Sequence, residues 1–192
     1  MSTRFWGKYR GVVSSNEDPL MMGRVRARVP DVYGDKESGW ALPCAPFGGK
    51  GHGFFAVPAQ GAGVWIEFEH GDPEYPVWTG VWWGSAAEMP PTLLAPPPPW
   101  KKMMVRTEGG HSVLLDDTPG VGGITLETSG GQKVVMNAMK IEIDNGSGAK
   151  ITLQGPQVKI EGAVIEISNT TGASVKLQGP QTVVNNGALE VT

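Results

Sequence analysis

Residues 141–181 read IEIDNGSGAKITLQGPQVKIEGAVIEISNTTGASVKLQGPQ. The string LQGPQ occupies 153–157 and returns at 177–181, an offset of 24 residues. The same register links Ile141/Ile165, Ile143/Ile167, Asn145/Asn169, Gly148/Gly172, Ala149/Ala173 and Ile151/Val175. A fixed period of this length marks stacked supersecondary units. A finer grid lies inside it. Aliphatic residues come as pairs two apart: Ile141/Ile143, Ile151/Leu153, Val158/Ile160, Ile165/Ile167 and Val175/Leu177. The pattern extends outward to Val113/Leu115, Ile124/Leu126 and Val134/Met136, and forward to Thr182/Val184 and Leu189/Val191. The residues between are mostly polar, as in Glu142, Thr152, Lys159, Glu166 and Lys176. That alternation defines short strands with one apolar face. From Ile141 the pairs advance by 10, 7 and 7 residues in turn, and Gly-containing inserts such as 145–148 fill the longer step.

A strip of short one-sided strands buries too little aliphatic area to offset the backbone entropy of ordering it. Two arrangements cover the strip. The chain can coil on itself as a three-sided solenoid, or three chains can stand around a threefold axis. A solenoid would have only about three rungs and no capping segment, against the habit of repeat proteins, which favours the trimer. The trimer core is then Ile141, Ile143, Ile151, Leu153, Val158, Ile160, Ile165, Ile167, Val175 and Leu177. All seven Trp, five Phe and three Tyr lie at or before Trp100, and a narrow prism without rings agrees with that split.

Residues 4–88 follow another rule. Apolar and β-branched stretches at 8–13, 24–29, 40–45, 54–57, 64–69 and 77–83 recur between Gly/Pro turns, which predicts a small all-β barrel or sandwich. In 24–29 Arg24, Arg26 and Arg28 share one face, with Val25, Ala27 and Val29 on the other. The arginine stripe and the Trp82–Trp83 pair could engage single-stranded nucleic acid. The segment before residue 101 carries ten acids against eight bases, so a protein interface is the better reading. Between the two parts, MPPTLLAPPPP at 89–99 holds six of the 16 prolines and reads as an extended polyproline spacer.

A net charge of −3 argues against a chain that lives on nucleic acid or anionic membrane. One cysteine, Cys44, excludes an intramolecular disulfide framework. Its apolar neighbours predict an inert buried thiol. His52, His70 and His111 are far apart and form no ligand-spaced pair, so neither metal nor cofactor is expected. Asp116-Asp117 reads as turn chemistry, and Glu67/Glu69 as a solvated strand face. No catalytic residues are expected.

Four stretches and the chain's ending carry a resemblance: GRVRARVPDVYGD (23–35), WALPCAPFGG (40–49), GFFAVPAQGAGVWIEFEHGDPEYPVWTGVWWG (53–84), GHSVLLDDTPGVGGITLETSGGQKVVM (110–136) and NNGALEVT (185–192). They resemble the bacteriophage baseplate assembly protein V and central spike family, with the VgrG-like spikes of contractile injection systems. The resemblance implies an all-β chain: an N-terminal OB-fold barrel at 1–88, a Pro-rich collar at 89–104, and a trimeric intertwined β-helix, a β-prism needle, at 105–192. It implies a non-enzymatic homotrimer that pierces a target envelope, touching the membrane only transiently. Its partners would be a separate baseplate hub protein and a PAAR-type tip protein. Arg24, Arg26, Arg28, Trp82 and Trp83 would face the hub or a neighbouring protomer. Asn185, Asn186, Leu189, Val191 and Thr192 would carry the tip. Residues 89–109 are too short for the lysozyme domain of some family spikes. With no signal peptide in sight, the chain would be made in the cytoplasm and assembled into the baseplate of a phage or injection particle. The competing expectation is an OB-fold nucleic-acid or glycan binder on a β-solenoid stalk.

Overall fold

The computed structural model describes residues 3–96 and 99–191. They form two compact units, Met1–Met89 and Pro90–Thr192.

The first unit contains β1 (Tyr9–Ser15), β2 (Arg26–Arg28), β3 (Leu42–Pro43), β4 (Gly48–Gly49), β5 (His52–Gly53), β6 (Gly63–Phe68) and β7 (Pro76–Trp82). Five of these build one sheet in the order β2-β1-β6-β7-β3, and β4 and β5 make a separate small hairpin. Alternation in β6 sends Val64, Ile66 and Phe68 inward, where they meet Val25, Ala27 and Val29 from around β2, with Val13 and Ala41. Phe5, Tyr9 and Tyr33 close one end of this aliphatic core around Phe68, with ring centroids 5.6–6.1 Å from it. Burial pushes the Tyr33 phenol up to about 12, with the Glu74 charge adding to it. Its hydroxyl donates to the Pro73 carbonyl at 2.6 Å.

Two expectations fail in this unit. Residues 54–57 are not a strand. The chain has just turned back through the Gly48/Gly53 hairpin, and Phe54 and Phe55 are exposed rather than alternating into a core. Cys44 is exposed, not buried. Its backbone N–H closes on the Trp78 carbonyl at 3.0 Å, and that leaves the thiol outside the core.

The second unit opens with a single helical turn, Pro91–Leu94, where a polyproline rod was expected. Pro97 and Pro98, within the run of four prolines, lie outside the described residues. Eleven strands follow: β8 (Lys102–Arg106), β9 (Ser112–Asp116), β10 (Gly123–Glu127), β11 (Lys133–Asn137), β12 (Ile141–Asp144), β13 (Lys150–Gln154), β14 (Gln157–Glu161), β15 (Val164–Ser168), β16 (Ser174–Gln178), β17 (Gln181–Val184) and β18 (Leu189–Val191). They form a seven-stranded sheet, β8 to β14, and a four-stranded sheet, β15 to β18. Each strand pairs antiparallel with the one before it, except across the break between β14 and β15.

The loops explain the repeat. Thr107, Thr128, Asn145 and Asn169 each donate their N–H to the carbonyl four residues on, at 2.9–3.1 Å. The fourth residue of each loop is a glycine with φ between +85° and +101°: Gly110, Gly131, Gly148 and Gly172. A residue with a Cβ is strained in that region. The Asn145 and Asn169 side chains each accept two backbone N–H groups inside their loops, which is why this pair obeys the period. LQGPQ is the opposite turn. Gln154 pairs with Gln157 and Gln178 with Gln181 across two-residue loops, with Gly155 and Gly179 at φ +53° and +55°. Glycine first at positive φ is the demand of a type II′ hairpin turn.

The pairing also removes the solenoid. A coil of 24-residue rungs would lay Ile141 beside Ile165; instead Ile141 pairs with Leu153, and Ile165 with Leu177. Tight turns between successive strands permit only an antiparallel meander. One strand escaped the sequence reading: β8, whose Met103 and Val105 pair with Leu115 and Val113 and extend the aliphatic pattern by one step.

Candidate assembly interface

Register fixes which side chains share a face. Across the larger sheet one aliphatic row runs Leu115, Ile124, Met136, Ile141, Leu153, Val158. A second runs Val113, Leu126, Val134, Ile143, Ile151, Ile160. The smaller sheet repeats the arrangement with Ile165, Leu177 and Thr182, and with Ile167, Val175, Val184 and Leu189. All ten residues expected in the trimer core therefore lie on these aliphatic faces. A groove of about 830 Å³ is lined by aliphatic side chains of β8 to β14 with Val164 and Ile165, and by polar residues at the strand ends such as Glu127, Lys133, Asp144 and Lys150.

Exposure is inverted relative to an ordinary sheet. Ile141 and Ile143 are 43% and 47% exposed, while Glu142 and Asp144 on the same strand are 9% and 8% exposed. The polar side is closed by ion pairs. Lys140 Nζ lies 2.6 Å from Glu142, and Lys150 Nζ lies 2.6 Å from Asp144. The Lys140 contact holds the Glu142 carboxyl below its ordinary value, and the Lys150 contact does the same for Asp144. A large contiguous apolar surface beside a satisfied polar one marks an interaction face.

The expected tip residues fall at the end of the smaller sheet. Asn185 and Asn186 form a left-handed turn, with φ +48° and +54°, between β17 and β18. Asn185 Oδ1 accepts the Ser174 N–H at 3.0 Å. Leu189 is exposed, the backbone of Val191 ends β18, and Thr192 lies outside the described residues.

The first unit's basic stripe does not present three free cations. Arg24 binds Asp18 with Nη2–Oδ1 at 2.5 Å and Nε 3.0 Å and 3.1 Å from the two oxygens. Asp18 also accepts the N–H groups of Leu20, Met22 and Arg24, so it clamps the loop between them. The Arg24 contact, helped by those N–H groups, holds the Asp18 carboxyl far below its ordinary value. Arg26 lies over the Trp40 ring at 5.0 Å, and Arg28 is 4.0 Å from Glu37. Trp82 is half-buried against Trp65, with the Arg10 guanidinium 5.2 Å from its ring, whereas Trp83 is exposed. The Asp18–Arg24 clamp and the Arg10–Trp65–Trp82 cluster were missed from sequence. The first had a readable signal, a carboxylate six residues before an arginine across a Pro/Gly loop.

Asp116 behaves as turn chemistry, its Oδ1 accepting the Thr118 N–H at 2.9 Å. Among the described residues no three His, Cys, Asp or Glu side chains gather as a metal site. No helix among the described residues is long and apolar enough to cross a membrane.

Fold and face together define an all-β assembly protein: a small barrel joined to a meander with one open aliphatic side. Comparison with protein families agrees. Residues 9–83 match the type VI secretion system/phage-baseplate injector OB domain. Residues 102–165 and again 160–190 match the phage baseplate V C-terminal trimerisation domain. Comparison with curated proteins found no match. The chain belongs to the baseplate spike family, whose members are structural components of phage or injection-system baseplates. The OB fold of the first unit and the trimerising role of the second follow from membership.

Proposed function

We propose that three copies close their aliphatic faces around a common axis and form the central spike of a contractile tail or injection-system baseplate, in the manner of VgrG-like spikes. The observation that carries this is the inverted exposure of the second unit. Its aliphatic rows are open while the charged side is already paired within the chain. Each side chain moved from water to the axis contributes about 1.5–3 kcal/mol when fully buried. The charged sides then face solvent. In this reading the barrel's outer residues, Arg26, Arg28 and Trp83 foremost, meet a hub protein or a neighbouring protomer. The last strand and the Asn185–Asn186 turn carry a PAAR-type tip, and the spike crosses the target envelope when the machine contracts. The piercing is mechanical, with no covalent step.

Sedimentation of the intact chain tests the assembly. Three chains of 20.4 kDa make about 61 kDa, and that species should persist in unboiled SDS samples. A folded species of 20.4 kDa sinks the reading. For the tip, a chain cut after Gly187 should lose capture of the cognate tip protein; unchanged capture removes that part alone.

A further inference from the structure

Four strand edges of the second unit meet no strand among the described residues, those of β8, β14, β15 and β18, and two of them, the outer edges of β14 and β15, flank the break between the sheets. Their chemistry restricts what can join them. In an antiparallel ladder, opposed residues alternate between hydrogen-bonded and non-bonded pairs, so successive residues of a strand aim their N–H and C=O groups at opposite neighbours. The phase is set by two loop bonds, Asn145 N–H to Ala149 O and Asn169 N–H to Ala173 O.

From the first bond, with an unbroken register, Ile143/Ile151 and Ile141/Leu153 are bonded pairs. Thr152/Lys159 and Gln154/Gln157 then bond on the next ladder, and β14 aims the groups of Val158 and Ile160 at its open edge. From the second, Ile167/Val175 and Ile165/Leu177 are bonded pairs, and β15 aims the groups of Val164, Glu166 and Ser168 outward. So β14 offers the backbone of residues on the aliphatic face, and β15 offers that of residues on the other face.

Joined antiparallel, two such edges cannot keep one continuous apolar face, because directly opposed residues share both face and bond direction. Joined in parallel they fit, since a bonded residue on one strand then lies beside a non-bonded one on the other. An offset of seven residues continues both rows and sets opposite charges side by side. It places Val158 beside the partner's Ile165, Lys159 beside the partner's Glu166 and Ile160 beside the partner's Ile167. Val158 and Ile167 are each 66% exposed, above every aliphatic position of β9 to β13, as residues with a cross-strand neighbour on one side only would be. Only Gly162 and Ala163 separate β14 from β15, and a parallel pair within one chain needs a crossover of about a dozen residues. The neighbour has to be another chain.

We propose that β15 of one protomer adds in parallel to β14 of the next, at an offset of seven, so that each β8–β14 sheet runs on into a partner's β15–β18 sheet. Strands β8 to β14 keep their own in-chain ladders, and the chains exchange at this single seam. The two matches to the trimerisation domain overlap at residues 160–165, across the same seam. The inference rests on the trimeric reading of the second unit.

Paired cysteines test it in the full chain with Cys44→Ser. Gln157→Cys with Val164→Cys are neighbours in the parallel seam; Gln157→Cys with Ser168→Cys are neighbours in an antiparallel one. After oxidation of the native protein, the first pair should give three covalently linked chains on a denaturing gel without reductant. The second should run as single chains with free thiols. The seam is overturned if the second pair links in any form, or if the first closes within one chain. It is equally overturned if the first keeps its thiols free in protein that sediments at about 61 kDa. Sedimentation at 20.4 kDa removes the trimeric reading, and the seam with it.

Discussion

Asp144 and Lys150 stand directly opposite each other on β12 and β13, the ammonium nitrogen 2.6 Å from the carboxylate. They are the middle of a cross-strand row, Glu127, Lys133, Asp144, Lys150, Glu161, in which the sign of charge alternates at every step. Opposite charges on facing positions favour this register over its neighbours, and a slip of one residue would turn every aliphatic side chain to the wrong face. The charged side therefore sets the register, and the aliphatic side, left open, is free for assembly.

Replacing Ile151 by aspartate places an unpaired carboxylate on the aliphatic face. A buried charge without a partner costs on the order of 3–5 kcal/mol, a loss of about 100-fold or more in association. Sedimentation of Ile151→Asp should show single chains at concentrations where the parent is trimeric. Thr152→Gln, on the other face, should leave the mass unchanged.

Gly148 sits at φ +98° with open space around the position a Cβ would take. Gly148→Ala therefore tests backbone strain alone, and should lower stability by roughly 1–2 kcal/mol in urea unfolding. Gly39→Ala, with equal room and no positive φ, should be close to neutral.

Gly63 is where the Trp82 ring rests on β6. A Cβ there would lie 2.6 Å from Trp82 Cε2 and 2.8 Å from the Trp82 carbonyl oxygen. Gly63→Ala should displace the indole and its Nε1–H bond to Val64 O, 3.2 Å long, costing roughly 1–3 kcal/mol. A red-shifted tryptophan emission with a lowered Tm would register both effects.

Asp18 titrates far below its ordinary value of 3.8 because Arg24 and three backbone N–H groups hold its charged form. A carboxyl depressed in the folded state adds stability that is complete above the unfolded value and fades as pH falls toward the folded one. Asp18→Asn should thus lower Tm by a constant amount at pH 6–8, and the gap to the parent should shrink below about pH 3.8. A gap that stays constant down to pH 2 would contradict the clamp.

The one-sided strands were legible because alternation with period two is a property of the covalent chain. The 24-residue spacing, the Asn145/Asn169 loops and the LQGPQ turns are local as well. Each is decided by a side chain reaching its own backbone or by a glycine at positive φ. The same holds for Val25, Ala27 and Val29, which lie on the face their spacing assigned. Residues 54–57 show the limit of composition. Apolar residues there looked like a strand, but the hairpin that ends at Gly53 had just turned the chain, and no strand ladder forms along 54–57.

By itself the sequence determined the strands, their apolar side, the turns that join them and the division into two unlike halves. It also carried the family resemblance. Only the tertiary structure decided which strands pair. Whether Ile141 lies beside Leu153 or Ile165 depends on how the intervening loops close, and both registers satisfy the same alternation. The exposure of Cys44, the pairing of Arg24 with Asp18 and the cover of Arg10 over Trp82 were likewise settled in three dimensions. Periodicity acts through nearest neighbours along the chain. Ion pairs, ring stacking and free edges depend on what the folded backbone brings within a few ångströms.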